Sequence, residues 1–150
     1  MLAGINLLDE ILGHDLFNKE VEVLKTDRGT EFMCADHAEV RSDGTRRTRI
    51  FFCDPMTSWQ KGSLEKVHLL REICPKSCDL KTIGLIDQHA CTIISENINS
   101  YPKEKRNGKS SFQLPEFLNP ATARKFYEFG LHNISNSDEV ILKPYVLKKR

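Results

Sequence analysis

The sequence predicts an α/β fold built on a single core. Three observations carry that expectation. Short apolar runs, Val21-Glu22-Val23-Leu24 and Ile50-Phe51-Phe52, read as strands. Longer stretches place apolar residues three and four apart, the period of an amphipathic helix. The order is helix, strand, hairpin and then helices, with no internal repeat and no long low-complexity linker.

Each element follows from local signals. Ile5, Leu8, Ile11 and Leu12 predict a helix over 3–13. Residues 20–26 read as a strand, with Val21 and Val23 on one face and Leu24 on the other. Glu39 to Cys53 reads as a hairpin that turns at Ser42-Asp43-Gly44 and returns along Ile50-Phe51-Phe52. After a loop over 54–62, Ser63 can cap a helix carrying Leu64, Val67, Leu70 and Ile73, which stops before Pro75. A second helix is expected over 82–98, with Ile83, Ile86, Ala90, Ile93, Ile94 and Ile98 as its stripe. Short helices are expected at 111–118 and 121–130, and a strand-like piece at Val140-Ile141-Leu142.

Length and composition narrow the class. A chain of 150 residues can bury a real core. With 39% hydrophobic and 29% charged residues it has the make-up of a soluble globular protein. The net charge of +1 is unevenly spread: residues 1–102 hold 12 Lys and Arg against 16 Asp and Glu, and residues 103–150 hold 10 against 5. A basic end of this kind either touches phosphates or is a solvated surface. Five cysteines, an odd number, argue against a full disulfide framework and fit free thiols in the cytoplasm. Cys74 and Cys78 are the only close pair, without a second pair spaced for zinc. No apolar run approaches the roughly 18 residues of a membrane span, so no membrane partner is expected. The start, MLAGINLLDEILG, does not read as a signal peptide.

Two acids stand at positions from which a fold presents side chains into a crevice. Asp27 falls where a strand gives way to a loop, and Glu65 falls in the first turn of a helix. Two carboxylates there can hold a hard divalent cation, which keeps the rest of its shell for water and phosphate oxygens. Gly29, just past Asp27, lets backbone or substrate approach closely. The structural alternatives are a turn-forming Asp and a Glu that complements a helix dipole.

The motifs around both acids resemble those of a known family. Lys25-Thr26-Asp27-Arg28-Gly29-Thr30-Glu31-Phe32 resembles the T-D-N-G-x-E-F motif of the DDE transposases and retroviral-type integrases. Phe52 to Lys66 resembles the stretch around their final glutamate, most nearly in bacterial insertion-sequence transposases of the thirty type. Asn99-Ser100-Tyr101-Pro102 and Gly108-Lys109-Ser110 resemble the N-x-x-P and G-K-[ST]-P elements that follow. The resemblance runs from about residue 20 to the end. It implies a ribonuclease-H-like integrase core over 1–118, lacking the N-terminal three-strand meander, followed by a helical and basic tail over 119–150.

The resemblance also implies a function: metal-dependent DNA strand cleavage and strand transfer, with Mg²⁺ or Mn²⁺ as cofactor and DNA, both transposon ends and target, as partner. Asp27 and Glu65 carry over as the second and third catalytic carboxylates and metal ligands. Lys61 and Lys66 flank the glutamate and are expected near DNA phosphates, together with Arg28, Arg47, Arg49, Lys105, Arg106 and Lys109. The family's first aspartate lies on an upstream strand, and neither Asp9 nor Asp15, on or beside a helix, replaces it. Arg28 stands where the family has Asn, and the 37 residues between Asp27 and Glu65 make a long gap. A C-terminal fragment without catalysis of its own, weak in metal binding and prone to self-association through an exposed sheet edge, is therefore the expectation. The alternative is a non-catalytic nucleic-acid-binding or assembly remnant.

Three further residues have two readings each. His68 either assists at the site or is a half-buried structural histidine. Arg47 and Arg49 are expected to share an outward face, where they either grip a DNA backbone or protect an edge strand by charge. Trp59 either stacks on a base or packs the following helix onto the sheet.

Overall fold

The computed structural model describes residues 2–26, 29, 35–54 and 65–148, and the side chains of residues 65–67 lie outside that description. Trp59 and the expected Ser63 cap also lie outside it. The described residues form seven α-helices and two strands: α1 Leu2–Leu12, α2 His14–Glu20, β1 Val23–Thr26, α3 Ala35–Glu39, β2 Arg49–Phe52, α4 Glu65–Ile73, α5 Gln88–Ser100, α6 Gln113–Leu118 and α7 Pro120–Glu128. Short 3₁₀ turns follow at Glu104–Arg106, Ser137–Glu139 and Pro144–Lys148. The chain divides into two compact units, 1–63 and 64–150.

In the first unit the expected helix over 3–13 ends at Leu12, and a second, unanticipated helix begins at once. Gly13 makes the break by taking φ +76°, a conformation that is free only for glycine. The reversal folds Phe17 of α2 into a completely buried position. β1 is shorter than the strand expected over 20–26, because Val21 still closes the last turn of α2 through its N–H on the Phe17 carbonyl.

The expected hairpin is only a remnant. A single antiparallel bridge joins Val40 to Arg46. β2 instead pairs with β1 in parallel, in the register Val23↔Arg49, Leu24↔Ile50, Lys25↔Phe51 and Thr26↔Phe52. Glu39 is the physical reason. It ends α3, its carbonyl accepts the Arg47 N–H at 2.8 Å, and its carboxylate accepts the Ile50 N–H at 2.6 Å. These bonds tie the start of β2 to the end of the helix, so β2 finds its ladder with β1. The resulting strand–helix–strand unit leaves Val23, Phe51 and Phe52 exposed.

The second unit has a core of Ile73 from α4, Ile93, Ile94 and Ile98 from α5, and Val146 from the last 3₁₀ turn. Burying each of these side chains contributes about 1.5–3 kcal/mol. The helix expected over 82–98 starts only at Gln88, where the Asp87 carboxylate caps it by accepting the Ala90 N–H at 2.8 Å. Upstream of that cap Gly84 sits at φ +92° with Leu147 Cβ 3.4 Å from where a Cβ would stand, so a helix cannot run through it. Ile86, counted in the stripe, is therefore 73% exposed. α6 and α7 pack on each other, with Phe112 and Tyr127 stacked at 6.3 Å, although they lie on either side of the division expected at 118/119. Burial and the hydrogen bond it donates to Glu116 push the Tyr127 phenol up to about 12.

Val140-Ile141-Leu142 forms no ladder. It docks on α5 through side-chain bonds to its backbone: Asn97 Oδ1 accepts the Ile141 N–H at 2.7 Å while Asn97 Nδ2 donates to the Ile93 carbonyl at 2.9 Å. One turn on, Ser100 Oγ accepts the Ile134 N–H at 2.8 Å, and Glu96 accepts the His132 N–H at 3.0 Å. Asn97 is 2% exposed, so its loss leaves buried groups unpaired. Asn97→Ala is expected to cost about 1–3 kcal/mol. Urea unfolding should report that loss, and hydrogen exchange should show Ile141 deprotected first.

Candidate functional site

β1 and β2 end at the same edge of the sheet. Thr26 pairs with Phe52, and the Cys53 N–H donates to the Thr26 carbonyl at 2.8 Å, which closes the ladder at the carboxyl ends of both strands. Asp27 is the next residue after β1, and Asp54 follows the buried Cys53 after β2. In an open α/β sheet this is the edge where ligands bind, because successive loops leave it together. Asp27 itself, Arg28 and Lys61 lie outside the described residues. Glu65 and Lys66 open α4, with their side chains outside the description.

The remaining expected residues are distributed as follows. Arg49 is exposed on β2. Lys105, Arg106 and Lys109 lie on the turn over 103–110, where Lys105 and Lys109 are exposed and Arg106 is half-buried with a bond from Nη1 to Ser111 Oγ at 3.0 Å. His68, expected half-buried, is exposed instead, because the apolar face of α4 is centred on Ile73 and turns His68 toward a groove. That groove has a volume near 1190 Å³ and runs between α4, the end of α5 and residues 138–146. Its rim mixes signs, with Lys143 Nζ 3.8 Å from the Glu72 carboxylate.

Arg47 does not share an outward face with Arg49. It is 5% exposed, and its guanidinium donates to the Ala38 carbonyl at 2.7 Å, to the His37 carbonyl at 3.1 Å and to Asn6 Oδ1 at 2.8 Å. It also lies 3.4 Å from Asp9 Oδ2. The reason is Asp9, an acid buried on the inner side of α1. Asp9 is held from the other side by Arg41, whose Nε and Nη2 approach its two oxygens at 2.7 and 2.8 Å. A buried carboxylate needs such partners, and two arginines supply them. The Arg41 hydrogen bond is the main reason that the Asp9 carboxyl is held below its usual range. Arg41 also stacks over the Phe17 ring at 6.0 Å. This cluster is structural: both oxygens of Asp9 are held by guanidinium groups, whose positive charge opposes a cation there.

Sequence reasoning weighed Asp9 only as a catalytic substitute and missed its buried structural role, and it passed over the polar side of α5. A signal existed for both. Asp9 is spaced four from Ile5 and three from Leu12, so it lies within the apolar stripe of its helix. Glu96, Asn97 and Ser100 likewise interrupt the stripe of α5. Among the described residues, no three His, Cys, Asp or Glu side chains are grouped to hold a metal ion. The described cysteines, Cys53, Cys74, Cys78 and Cys91, are free. No described helix is long and apolar enough to cross a membrane.

Comparison with known proteins finds a similarity in sequence alone. The similarity is to the transposase for insertion sequence element IS1086 of Cupriavidus metallidurans, 33% identical over 94 residues. The match covers 62% of this chain and 26% of that protein, so the chain corresponds to about a quarter of the relative's length. No family model matches the chain. No solved structure matches it.

Proposed function

We propose that this chain is the C-terminal part of the catalytic core of a DDE transposase, with a ribonuclease-H-like fold and a relationship to insertion-sequence transposases of the thirty type. Its parent reaction is metal-dependent cleavage and strand transfer of DNA at transposon ends and target. The observation that carries this reading is the motif Lys25 to Phe32, whose first two residues, Lys25 and Thr26, end β1 at the edge where β2 also ends. The identity with an insertion-sequence transposase supports it.

The donor set suits the cofactor. Asp27 and Glu65 offer only carboxylate oxygens, the ligands that Mg²⁺ and Mn²⁺ prefer. When bound, a pair of such ions activates the attacking oxygen and stabilises the leaving one. The chain's own part is to support these acids: Asp27 follows a hydrogen-bonded strand and Glu65 opens a helix anchored by Ile73. Lys61, Lys66 and Arg49 are proposed to meet DNA phosphates, and Arg47 is not, because its charge is spent inside the fold. Two carboxylates make an incomplete DDE set, so the chain alone is expected to bind metal weakly and to nick no DNA. The exposed Val23, Phe51 and Phe52 on a two-stranded sheet support self-association.

Mn²⁺ titration followed by paramagnetic broadening of amide signals tests the reading. Broadening should centre on Lys25, Thr26 and the first turn of α4, and vanish in both Asp27→Ala and Glu65→Ala. Broadening unchanged in Asp27→Ala would overturn it, and robust Mn²⁺-dependent plasmid nicking would overturn the inactivity. A second reading, a nucleic-acid-binding remnant, is favoured by the exposed cations of the turn over 103–110. It requires DNA affinity that falls steeply with salt and ignores Mg²⁺.

A further inference from the structure

Phe117, near the end of α6, is 79% exposed, and Leu118 beside it is 72% exposed. Beside this ring lies a closed turn. The Lys103 carbonyl accepts the N–H groups of Arg106 at 2.9 Å and Gly108 at 3.1 Å, and the Lys109 N–H donates to the Arg106 carbonyl at 3.1 Å. Asn107 takes the left-handed conformation at φ 53° that the reversal needs. Between its ends the turn carries the cations Lys105, Arg106 and Lys109 against one acid, Glu104. Lys109 Nζ stands 5.4 Å from the Phe117 ring centroid.

We propose that Phe117 is a stacking platform for an unpaired base, and that Lys109 and the turn hold the phosphates next to that base. The ligand class is single-stranded nucleic acid. The inference rests on the reading of the chain as part of a DNA transposase and adds to it a preference for unpaired strands. Base stacking on an aromatic ring together with cations along the backbone is the general chemistry of single-strand recognition. Charge decides between a nucleic acid and a protein partner. Anchors of protein interfaces are ringed by groups that exclude water and are depleted in lysine. Phe117 is instead bordered by an ammonium group and a cationic turn, which complement a polyanion. The turn's backbone is already closed by hydrogen bonds, so its main chain adds little ordering cost on binding.

Fluorescence anisotropy of the 150-residue chain with a labelled 15-nucleotide oligothymidylate, beside a duplex of equal length, tests the proposal. Phe117→Ala should weaken single-strand binding about tenfold, the effect of losing one stacked base, and leave duplex binding unchanged. Phe117→Trp should retain affinity and Phe117→Leu should lose it, because leucine keeps apolar area and lacks a π face. Lys109→Ala should weaken both ligands and lower the salt dependence. Wild-type affinity in Phe117→Leu would overturn the proposal. So would sedimentation showing that Phe117→Ala only dissolves a dimer, which would make the ring a contact between copies of the chain. Mn²⁺ broadening near Lys25 separates the two readings. Its persistence while Phe117→Ala leaves oligonucleotide binding intact refutes the platform alone, and its absence in the wild-type chain refutes the metal site alone.

Discussion

Asp9→Ala is expected to remove about 3–5 kcal/mol from the first unit, because it takes the carboxylate from the buried Arg47 and leaves Arg41 with only the weaker charges of Asp43 and Asp15. The side chains of Arg41 and Arg47 are 7% and 4% exposed, so water compensates only in part for the lost carboxylate. Set against a typical domain stability of about 5–15 kcal/mol, this loss should leave α1, α2 and the Val40–Arg46 bridge largely open. Hydrogen exchange would check it: protection should fall over 5–20 and 35–48 while α5 amides keep theirs. Asp9→Asn should cost less, since an amide keeps part of the hydrogen bonding and none of the charge. The same cluster sets a pH dependence. The folded Asp9 pKa lies below the ordinary carboxylate value of 3.8, so its contribution is fully present above that value. It is lost as pH falls from there through the lower folded value, so acid unfolding of the first unit should soften in Asp9→Ala.

Ile73→Ala should have an effect of similar size in the second unit, about 2–5 kcal/mol. Ile73 is fully buried at the last turn of α4 and meets Ile93, Ile94, Ile98 and Val146. Removing three carbon atoms there opens a cavity among side chains from three separate elements, none of which can close it alone. Ile73→Val should cost only about 0.5–1.5 kcal/mol. Thermal unfolding followed by circular dichroism distinguishes the two. The variant also bears on function, because α4 is the helix that Glu65 opens. Loosening its anchored end should weaken Mn²⁺ broadening in the first turn of α4. A wild-type melting temperature for Ile73→Ala would contradict the core described above.

Much of the helical content was legible because each stripe repeats every three or four residues within one local stretch. The stripe over the second half of α5 agrees with the buried Ile93, Ile94 and Ile98, and Leu12 of α1 is buried as expected. In α4 Ile73 is buried, but Leu70 of the expected stripe is 41% exposed and Leu69 packs on the core instead. Ends were less legible. Gly13 and Gly84 carry little periodic signal, yet their positive φ angles set where α2 and α5 begin. The partner of Ile50-Phe51-Phe52 was not legible at all. Apolar residues announce a strand, but Glu39, eleven residues upstream of Ile50, holds the chain so that this strand joins β1 in parallel. Arg47 was misread for the same reason: alternation along a strand predicts which way a side chain points only where the ladder continues.

For the candidate site, residue order alone determined that an acid follows an apolar strand and that another opens a helix. It also determined the motifs that resemble the DDE family, since these are contiguous. Tertiary structure alone decided that β1 and β2 end at a common edge, and that the cationic turn lies against the exposed Phe117 ring. It decided, too, that Arg47 is spent on Asp9 rather than left at the surface. The physical reason is that charge pairing and strand pairing act between groups distant in sequence. Local patterns state which groups must be satisfied, and the folded chain selects the partners that satisfy them.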